Sequence, residues 1–495
     1  MTTVYDVVVV GSGPVGSAFA RTFADVSPGA SILLVEAGPQ LSGTPGRHVR
    51  NIPEGDERER AQAASQGPRR TDVLIDPDAE PDASQPPNVV RPGTFLVSDG
   101  MTTSDSRGMP AATMSTNVGG MGAHWTGACP KPGGRERITD IPEAEMIAAL
   151  AAADVLLGVT QTAFADSPLA QQIVKVLADE FHRDPAGDRP VQPMPLAARR
   201  RDDGTLEWSG TEAILAPVLA SGSVELRAET LATSVVVTDG RATGVWLRDL
   251  ATGSTERVEA SIVFVAGDTF RTPQLLHASG VRPRALGRYI NDHSDARTFV
   301  QLDEKFRQTE GRGGVTWIPY SDEGFPYHCQ VMQLDASPIG FLPSGEGWPG
   351  STVGVVLFGT KELSEDDRVE FSDDEVDAYG MPALKISYHL TERDLETEQN
   401  LLAMSRRIAA ALGTVLVEPR VLLPGGSYHF MGSVPSRTVP ATSVCDPTGA
   451  VWDVAGLFVG GNGVIPTPTA CNPTITSVAL AIRSARAAAG VDALT

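Results

Sequence analysis

This sequence predicts an α/β protein in two parts, one on a buried parallel sheet and the other on a mainly antiparallel sheet backed by helices. Three observations carry that prediction. The chain opens as strand, glycine-rich turn, helix and strand between Val4 and Glu36, and between Ala296 and Leu390 the hydrophobic pattern shifts to half-buried strands. A late strand, Leu457-Phe458-Val459, then ends in glycines ahead of a last helix. At 495 residues the chain exceeds one ordinary core, which agrees with two or three intertwined domains.

Val4-Tyr5-Asp6-Val7-Val8-Val9-Val10 is apolar and β-branched with no turn residue inside it, so it reads as a parallel strand buried on both faces. Gly11-Ser12-Gly13-Pro14-Val15-Gly16 ends it and leads into a small-residue helix. The spacing Gly-x-Gly-x-x-Gly is weak alone, but between a strand and a helix it marks a dinucleotide site. Gly11 permits the tight turn, Gly13 lets the backbone approach a pyrophosphate, and Gly16 lets helix and strand pack closely. The helix N-terminus turns free N–H groups and its positive dipole end toward the phosphates. A second apolar run, Ile32-Leu33-Leu34-Val35, ends in Glu36, twenty residues past Gly16, where a carboxylate accepts hydrogen bonds from an adenosine ribose and argues against a 2′-phosphate. NAD and FAD both satisfy these residues, because the fingerprint reads only their shared ADP half. A loop serving packing alone is the weaker alternative.

The balance of 40 basic and 61 acidic residues, a net charge of −21, favours solubility and disfavours nucleic acid and anionic membrane surfaces as partners. Cys129, Cys329, Cys445 and Cys471 show no metal-ligand spacing and read as apolar thiols of a reducing compartment, with no metal site expected. The first strand starts without a basic or apolar leader and no segment is long enough to span a bilayer, so a cytoplasmic protein is expected.

From Gln40 to about Pro92 the hydrophobic periodicity is lost, which predicts a surface excursion: a lid, an oligomer arm or solvated filler. Asn117-Val118-Gly119-Gly120-Met121-Gly122-Ala123-His124-Trp125-Thr126-Gly127 is too glycine-rich for a regular element and suggests backbone held against a ligand. Helices are expected over Glu145–Val159 and Pro168–His182. A meander is expected over Val224–Arg227, Ser234–Val237 and Ala242–Leu247, with an Asp239-Gly240 turn, and the apolar run Ser261–Val265 is expected to rejoin the first sheet. Ala296–Leu302, Tyr327–Leu334, Thr352–Phe358 and Ala383–Tyr388 are read as one antiparallel sheet, backed by an amphipathic helix over Glu392–Leu412. Near the end, His429 sits in a glycine-framed loop, and Asn472-Pro473-Thr474 opens a helix, with Asn472 as a simple N-cap in the plain reading.

With these residues in hand, the chain resembles the glucose-methanol-choline (GMC) oxidoreductases, in their pyranose 2-oxidase and glycoside 3-oxidase branch. Thr272-Pro273-Gln274-Leu275-Leu276-His277-Ala278-Ser279-Gly280 is similar to the family's second signature, and Gly287-Arg288-Tyr289-Ile290-Asn291-Asp292-His293 to the segment after it. The resemblance implies FAD rather than NAD. It implies that His429 is the base that takes the hydroxyl proton, a task suited to imidazole near neutral pH, and that Asn472 holds the alcohol oxygen. It implies that His124 is joined covalently to the flavin or lies in close contact with it, with Thr126 beside the ring. Ser115, Asn117, Gly119, Gly120 and Ala232 carry over as further FAD neighbours, and Asn462 and Thr474 as neighbours at the ring end.

Tyr327-His328-Cys329-Gln330 and the loop Asp335–Gly340 are similar to a sugar-binding strand and a substrate loop, with Gln330 as a sugar contact. Ser337 and Ile339 depart from that loop's aromatics, and Leu357 stands where a sugar-contacting arginine is expected. The implied division is an FAD-binding domain of the GMC type from 1–40, 93–135, 205–295 and 420–495, a substrate-binding domain from 136–204 and 296–419, and the 41–92 insertion. The implied activity is oxidation of a ring hydroxyl at C2 or C3 of a pyranose or glycoside, with O2 reduced to H2O2. A dehydrogenase passing electrons to a quinone is the near alternative, and a catalytically silent flavoprotein that binds a partner is the distant one. The sequence does not fix the oligomeric state.

Overall fold

The structure, a computed structural model, describes residues 3–66, 90–181, 189–307, 313–333 and 350–494. Its centre is β1 (Thr3–Val10), which runs parallel to β2 (Ile32–Val35) on one side and to Thr255–Val265 on the other. Val7, Val8 and Val9 are fully buried, as an apolar run with neighbours on both edges and both faces must be. Helix α1 (Pro14–Val26) takes Pro14 in its first turn, where the missing N–H costs nothing, and lays Phe19 on Phe264 with ring centroids 4.4 Å apart.

The sheet reads Val224–Arg227, β2, β1, Thr255–Val265, Arg241–Asp249, Thr230–Thr238. Leu457–Val459 pairs parallel with the far end of Thr255–Val265, so the late strand returns to the first sheet. The tight turn at Asp239-Gly240 has φ of 50° and 73°, the left-handed pair that such a hairpin demands. Val224–Arg227, expected in the meander, instead pairs parallel with β2 on the sheet's opposite edge. The cause lies at Glu229, where a positive φ of 51° turns the chain away and Thr230 N donates to Glu36 O at 2.8 Å, starting the meander against the end of β2.

The second sheet is antiparallel throughout, in the order Gly413–Val421, Ser294–Leu302, Thr352–Gly359, Tyr327–Gln333, Val315–Ile318, Gln192–Pro193. The helix Glu392–Leu412 backs it, started by a capping box between Thr391 and Asp394, and turns Leu401, Ile408, Ala409 and Leu412 into a core shared with Ala296, Val300, Val353 and Val355. Pro382–Ser387, where Ala383–Tyr388 was expected in this sheet, pairs instead with Arg368–Val376 and bridges Thr102 through Leu384. Its alternating Leu384 and Ile386 pack on Phe95, Met101 and Phe270, a different core, and alternation alone cannot say which core a strand faces.

Two further helices start two residues earlier than expected or end short of the expectation, at Glu143–Leu157 and Pro168–Glu180. Gly158, at φ 63°, stops the former. Part of the 41–92 excursion is ordered: Asp56–Gln66 is a helix, and Ala61 is buried against Val49 and Ile52. The remainder of that excursion from 67 to 89, the loop 335–340 and His182 lie outside the described residues. Among the described residues no helix is long and apolar enough to cross a membrane.

Candidate active site

A cavity of about 430 Å³ is walled by residues of both sheets. At one end stand Gly11, Gly13 and Glu36; at the other stand Gln330, Phe358, His429 and Asn472. The glycines divide their work as their surroundings dictate. A Cβ on Gly16 would lie 1.8 Å from Gly11 O and one on Gly11 2.3 Å from Ala266 O, whereas one on Gly13 would meet no protein atom within 4 Å. Two of the three therefore close the backbone turn, and the third leaves the cavity side open. Glu36 Oε2 accepts from Ser12 N at 3.1 Å and Ser12 Oγ at 2.8 Å, and Oε1 from Gly38 N at 2.9 Å. Burial pushes its carboxyl up against those hydrogen bonds and the nearby Arg271.

At the other end the protons can be placed from the partners alone. Thr469 O can only accept, so His293 Nδ1, 3.1 Å away, carries a proton. Burial, foremost, lowers the His293 pKa to about 4, so this ring is neutral and its Nε2 is an acceptor. His429 Nδ1, 2.8 Å from that Nε2, must then donate, which leaves His429 Nε2 with a lone pair facing the cavity. Asn472 Nδ2 lies 3.2 Å from this nitrogen, and Asn472 Oδ1 accepts from Gln330 Nε2 at 2.6 Å. The reverse amide orientation would set oxygen against a lone pair. Burial, followed by electrostatic interaction with His293 and Arg297, holds the His429 imidazole well below its usual range, so the lone pair persists into acid.

The loop that presents His429 is held from behind. Asp292 accepts from Gly425 N at 2.7 Å and from the Ser427 hydroxyl, and Ser427 Oγ accepts from His429 N at 2.9 Å. Burial, opposed by those two donors, raises the Asp292 carboxyl to about 7. Tyr428, at φ 64°, carries the strain that turns the next side chain inward.

Of the sequence-predicted site residues, Gly11, Gly13, Glu36, Ser115, Gly120, His124, Thr126, Ala232, Gln330, His429, Asn462, Asn472 and Thr474 line this cavity. Gly16, packed against the Gly11 carbonyl, Asn117 and Gly119 do not. Asn117 lies fully buried beneath the turn, its Nδ2 donating to Val118 O and Gly120 O at 3.1 Å, and Gly119 N donates to Ser12 Oγ. Both shape the wall from outside it. Asn472 is no N-cap, because the last helix is Thr474–Ala488 with Pro473 before it, one residue later than expected; the carboxamide is spent on Gln330 and His429. Leu357 is buried in the second core, while its neighbours Val356 and Phe358 face the cavity. Arg297, cross-strand from Val356 and paired to Asp295 at 2.7 Å, is the cation in that wall. His293, Arg271, Arg297, Asp292 and Gln66 went unread as site residues in the sequence. His293 ends the Gly287–His293 segment, yet nothing in its spacing shows where its ring points.

This fold, with an imidazole and a carboxamide in the wall of a cavity that starts at a Gly-x-Gly turn, defines a GMC oxidoreductase, and the chain belongs to that family: its models match residues 189–295 and 365–481. Among its relatives is a C-glycoside 3-oxidase of Arthrobacter globiformis, 46% identical over 97% of this chain and 94% of that one. Another C-glycoside 3-oxidase, of Microbacterium trichothecenolyticum, is 44% identical over 97% and 96%. The pyranose 2-oxidase of Tricholoma matsutake is 30% identical over 97% and 93%. A solved structure of Aspergillus oryzae formate oxidase shares the fold, with a TM-score of 0.65 at 14% identity over 98% of each chain.

The enzyme is FAD-dependent, and the cavity suits that group. It joins a Gly-x-Gly turn and an acid at one end to the base at the other. His124 Nδ1 and Thr113 Oγ1, both in its wall, are buried polar atoms with no protein partner, as a wall made for a polar ligand leaves them.

Proposed function

We propose that the protein oxidises a secondary ring hydroxyl of a pyranose glycoside, at C3 in preference to C2, and that O2 accepts the electrons and leaves as H2O2. The observation that carries this reading is the Gln330–Asn472–His429–His293 chain, which leaves one unprotonated imidazole nitrogen beside one carboxamide N–H. A substrate hydroxyl entering between them donates its proton to His429 Nε2 while its oxygen accepts from Asn472 Nδ2. Gln330 keeps the carboxamide from rotating. Bound FAD would supply the hydride acceptor that this oxidation needs. The two C-glycoside 3-oxidase relatives favour C3 and a glycoside over free glucose at C2. The test is anaerobic: a panel of C-glycosides, O-glycosides and free sugars is added to the flavoprotein, bleaching of the visible flavin band is followed, and the product of the fastest substrate is read by NMR. C3 ketone and one H2O2 per sugar in air are expected. Bleaching by no member would overturn the sugar assignment, and reoxidation faster by benzoquinone than by air would replace the oxidase with a dehydrogenase.

We further propose that His124 carries the flavin covalently. Burial, then the charges of His48 and Arg91, lowers its pKa to about 3, so the ring is neutral with a nitrogen lone pair available, and its Nδ1 meets no protein partner. Acid precipitation should give a yellow pellet from the wild type and a colourless pellet with yellow supernatant from His124→Ala. Flavin released alike from both proteins would contradict the bond.

A further inference from the structure

Behind the His293–His429 pair lies a buried carboxylate that the reaction as derived does not use. Glu136 is 2% exposed, yet four donors converge on it: His328 Nε2 at 2.9 Å, Gly133 N at 3.0 Å, Thr469 Oγ1 at 3.0 Å and Ala470 N at 2.8 Å. His328 is fully buried, and its Nδ1 accepts from Trp317 Nε1 at 3.0 Å; an indole N–H can only donate, so the proton of His328 sits on Nε2 and points at Glu136. Thr469 is the hinge between this cluster and the base. Its hydroxyl donates to Glu136 and accepts from Cys471 N at 2.9 Å, while its carbonyl accepts from His293. The same turn delivers Asn472.

We propose that Glu136 is a positioning residue for the oxidation: the buried anion that anchors the Thr469–Asn472 turn and, through Thr469 and His293, supports positive charge on His429 as it takes the substrate proton. An ionised carboxylate placed so deep is costly unless its charge or its hydrogen bonds serve something, and neutral polar groups would suffice to hold a turn. Burial alone would push its carboxyl up; the contacts with His328, Gly133 and Ala470 outweigh it and hold the carboxyl low, so it is charged whenever the base can work. Arg189, the Cys471 thiol and the Tyr320 phenol also face the carboxylate electrostatically, and its charge reaches His293, where it favours the protonated ring. His429 is faced by His293 and Arg297, the latter tied to Asp295.

This inference rests on His429 acting as the base, so it is read beside His429→Ala. In the wild type, the rate of anaerobic flavin reduction falls in acid as His429 becomes protonated. Glu136→Gln keeps the shape and an oxygen for Thr469 and Ala470 but removes the charge; the acid limb should move to lower pH by about one unit, with a slower plateau. Glu136→Asp, which restores the charge, should bring the limb back. A Glu136→Gln profile with its limb at the wild-type pH, or one unchanged altogether, would reduce Glu136 to a structural role and overturn the proposal. If Glu136→Gln yields no flavoprotein, Thr469→Val is measured instead. It removes the hydroxyl's bonds to Glu136 and to Cys471 N, so the acid limb rather than the rate alone is read: a limb moved to lower pH supports the proposal, while a limb at the wild-type pH overturns it. Loss of activity in His429→Ala with a normal Glu136→Gln profile sinks this inference alone; a wild-type rate in His429→Ala sinks the base assignment itself.

Discussion

Replacing His429 by alanine lowers the rate of anaerobic flavin reduction by roughly 10²–10⁴-fold, the usual worth of a positioned base, while flavin stays bound. Alanine removes His429 Nε2, the imidazole lone pair that faces the cavity, and it leaves the Gly11–Gly16 turn untouched. The wild-type pH profile follows from the sign of the shift. The pKa of His429 is depressed, chiefly by burial, so the unprotonated base dominates at neutral pH and remains through the range where free imidazole would already be charged. The rate should therefore hold as pH falls through ~6.5 and drop only below it. Stopped-flow reduction by a saturating glycoside across pH measures both. A variant that reduces as fast as the parent would remove His429 from the chemistry.

The second large effect separates two glycines that sequence motifs treat alike. Gly16→Ala drives a Cβ to 1.8 Å from the Gly11 carbonyl oxygen, a main-chain atom that cannot swing aside. The cost should reach or exceed the upper end of ordinary overpacking, about 3 kcal/mol, and the protein should be recovered unstable or not at all. Gly13→Ala meets no protein atom within 4 Å, and Gly13 has an ordinary φ of −62°. That variant should unfold at the parent's temperature without cofactor yet bind FAD at least tenfold more weakly, a loss of about 1.4 kcal/mol. Thermal unfolding of both apoproteins, with flavin titration, all in a His124→Ala background so that binding is reversible, reads the contrast. Equal stability of the two variants would contradict the packing role of Gly16, and undiminished flavin binding by Gly13→Ala would contradict the approach of a ligand to this turn.

These contrasts also show how far the residues could be read in advance. The first β-α-β unit was legible because its signals are local: a β-branched run, glycines at a fixed spacing, and an acid after the second strand all lie within 36 residues. The helix Glu392–Leu412 was legible to the residue, since Thr391 and Asp394 mark its start and Gly413 its end. Strand partners were not. Val224–Arg227 and Pro382–Ser387 have the right period for strands, but their pairing is decided by a left-handed residue at 229 and by a core more than 280 residues away around Phe95 and Met101, which no window contains. The site divided the same way. His429 and Asn472 carry motifs of their own. His293 and Glu136 act through geometry between segments 136 to 334 residues apart, and Asn117, although within a telling stretch, turned out to brace the wall from behind.

The hydrogen bond from Gln330 to Asn472 joins the second sheet to the loop that precedes the last helix. Under the function proposed above, in which Gln330 lies on the substrate side and Asn472 holds the reacting alcohol, selectivity and turnover would be mechanically wired together at one amide. Remodelling the Tyr327–Gln333 strand for a different substrate would then slacken that hold, and changes meant for recognition would surface in kcat as well as in KM.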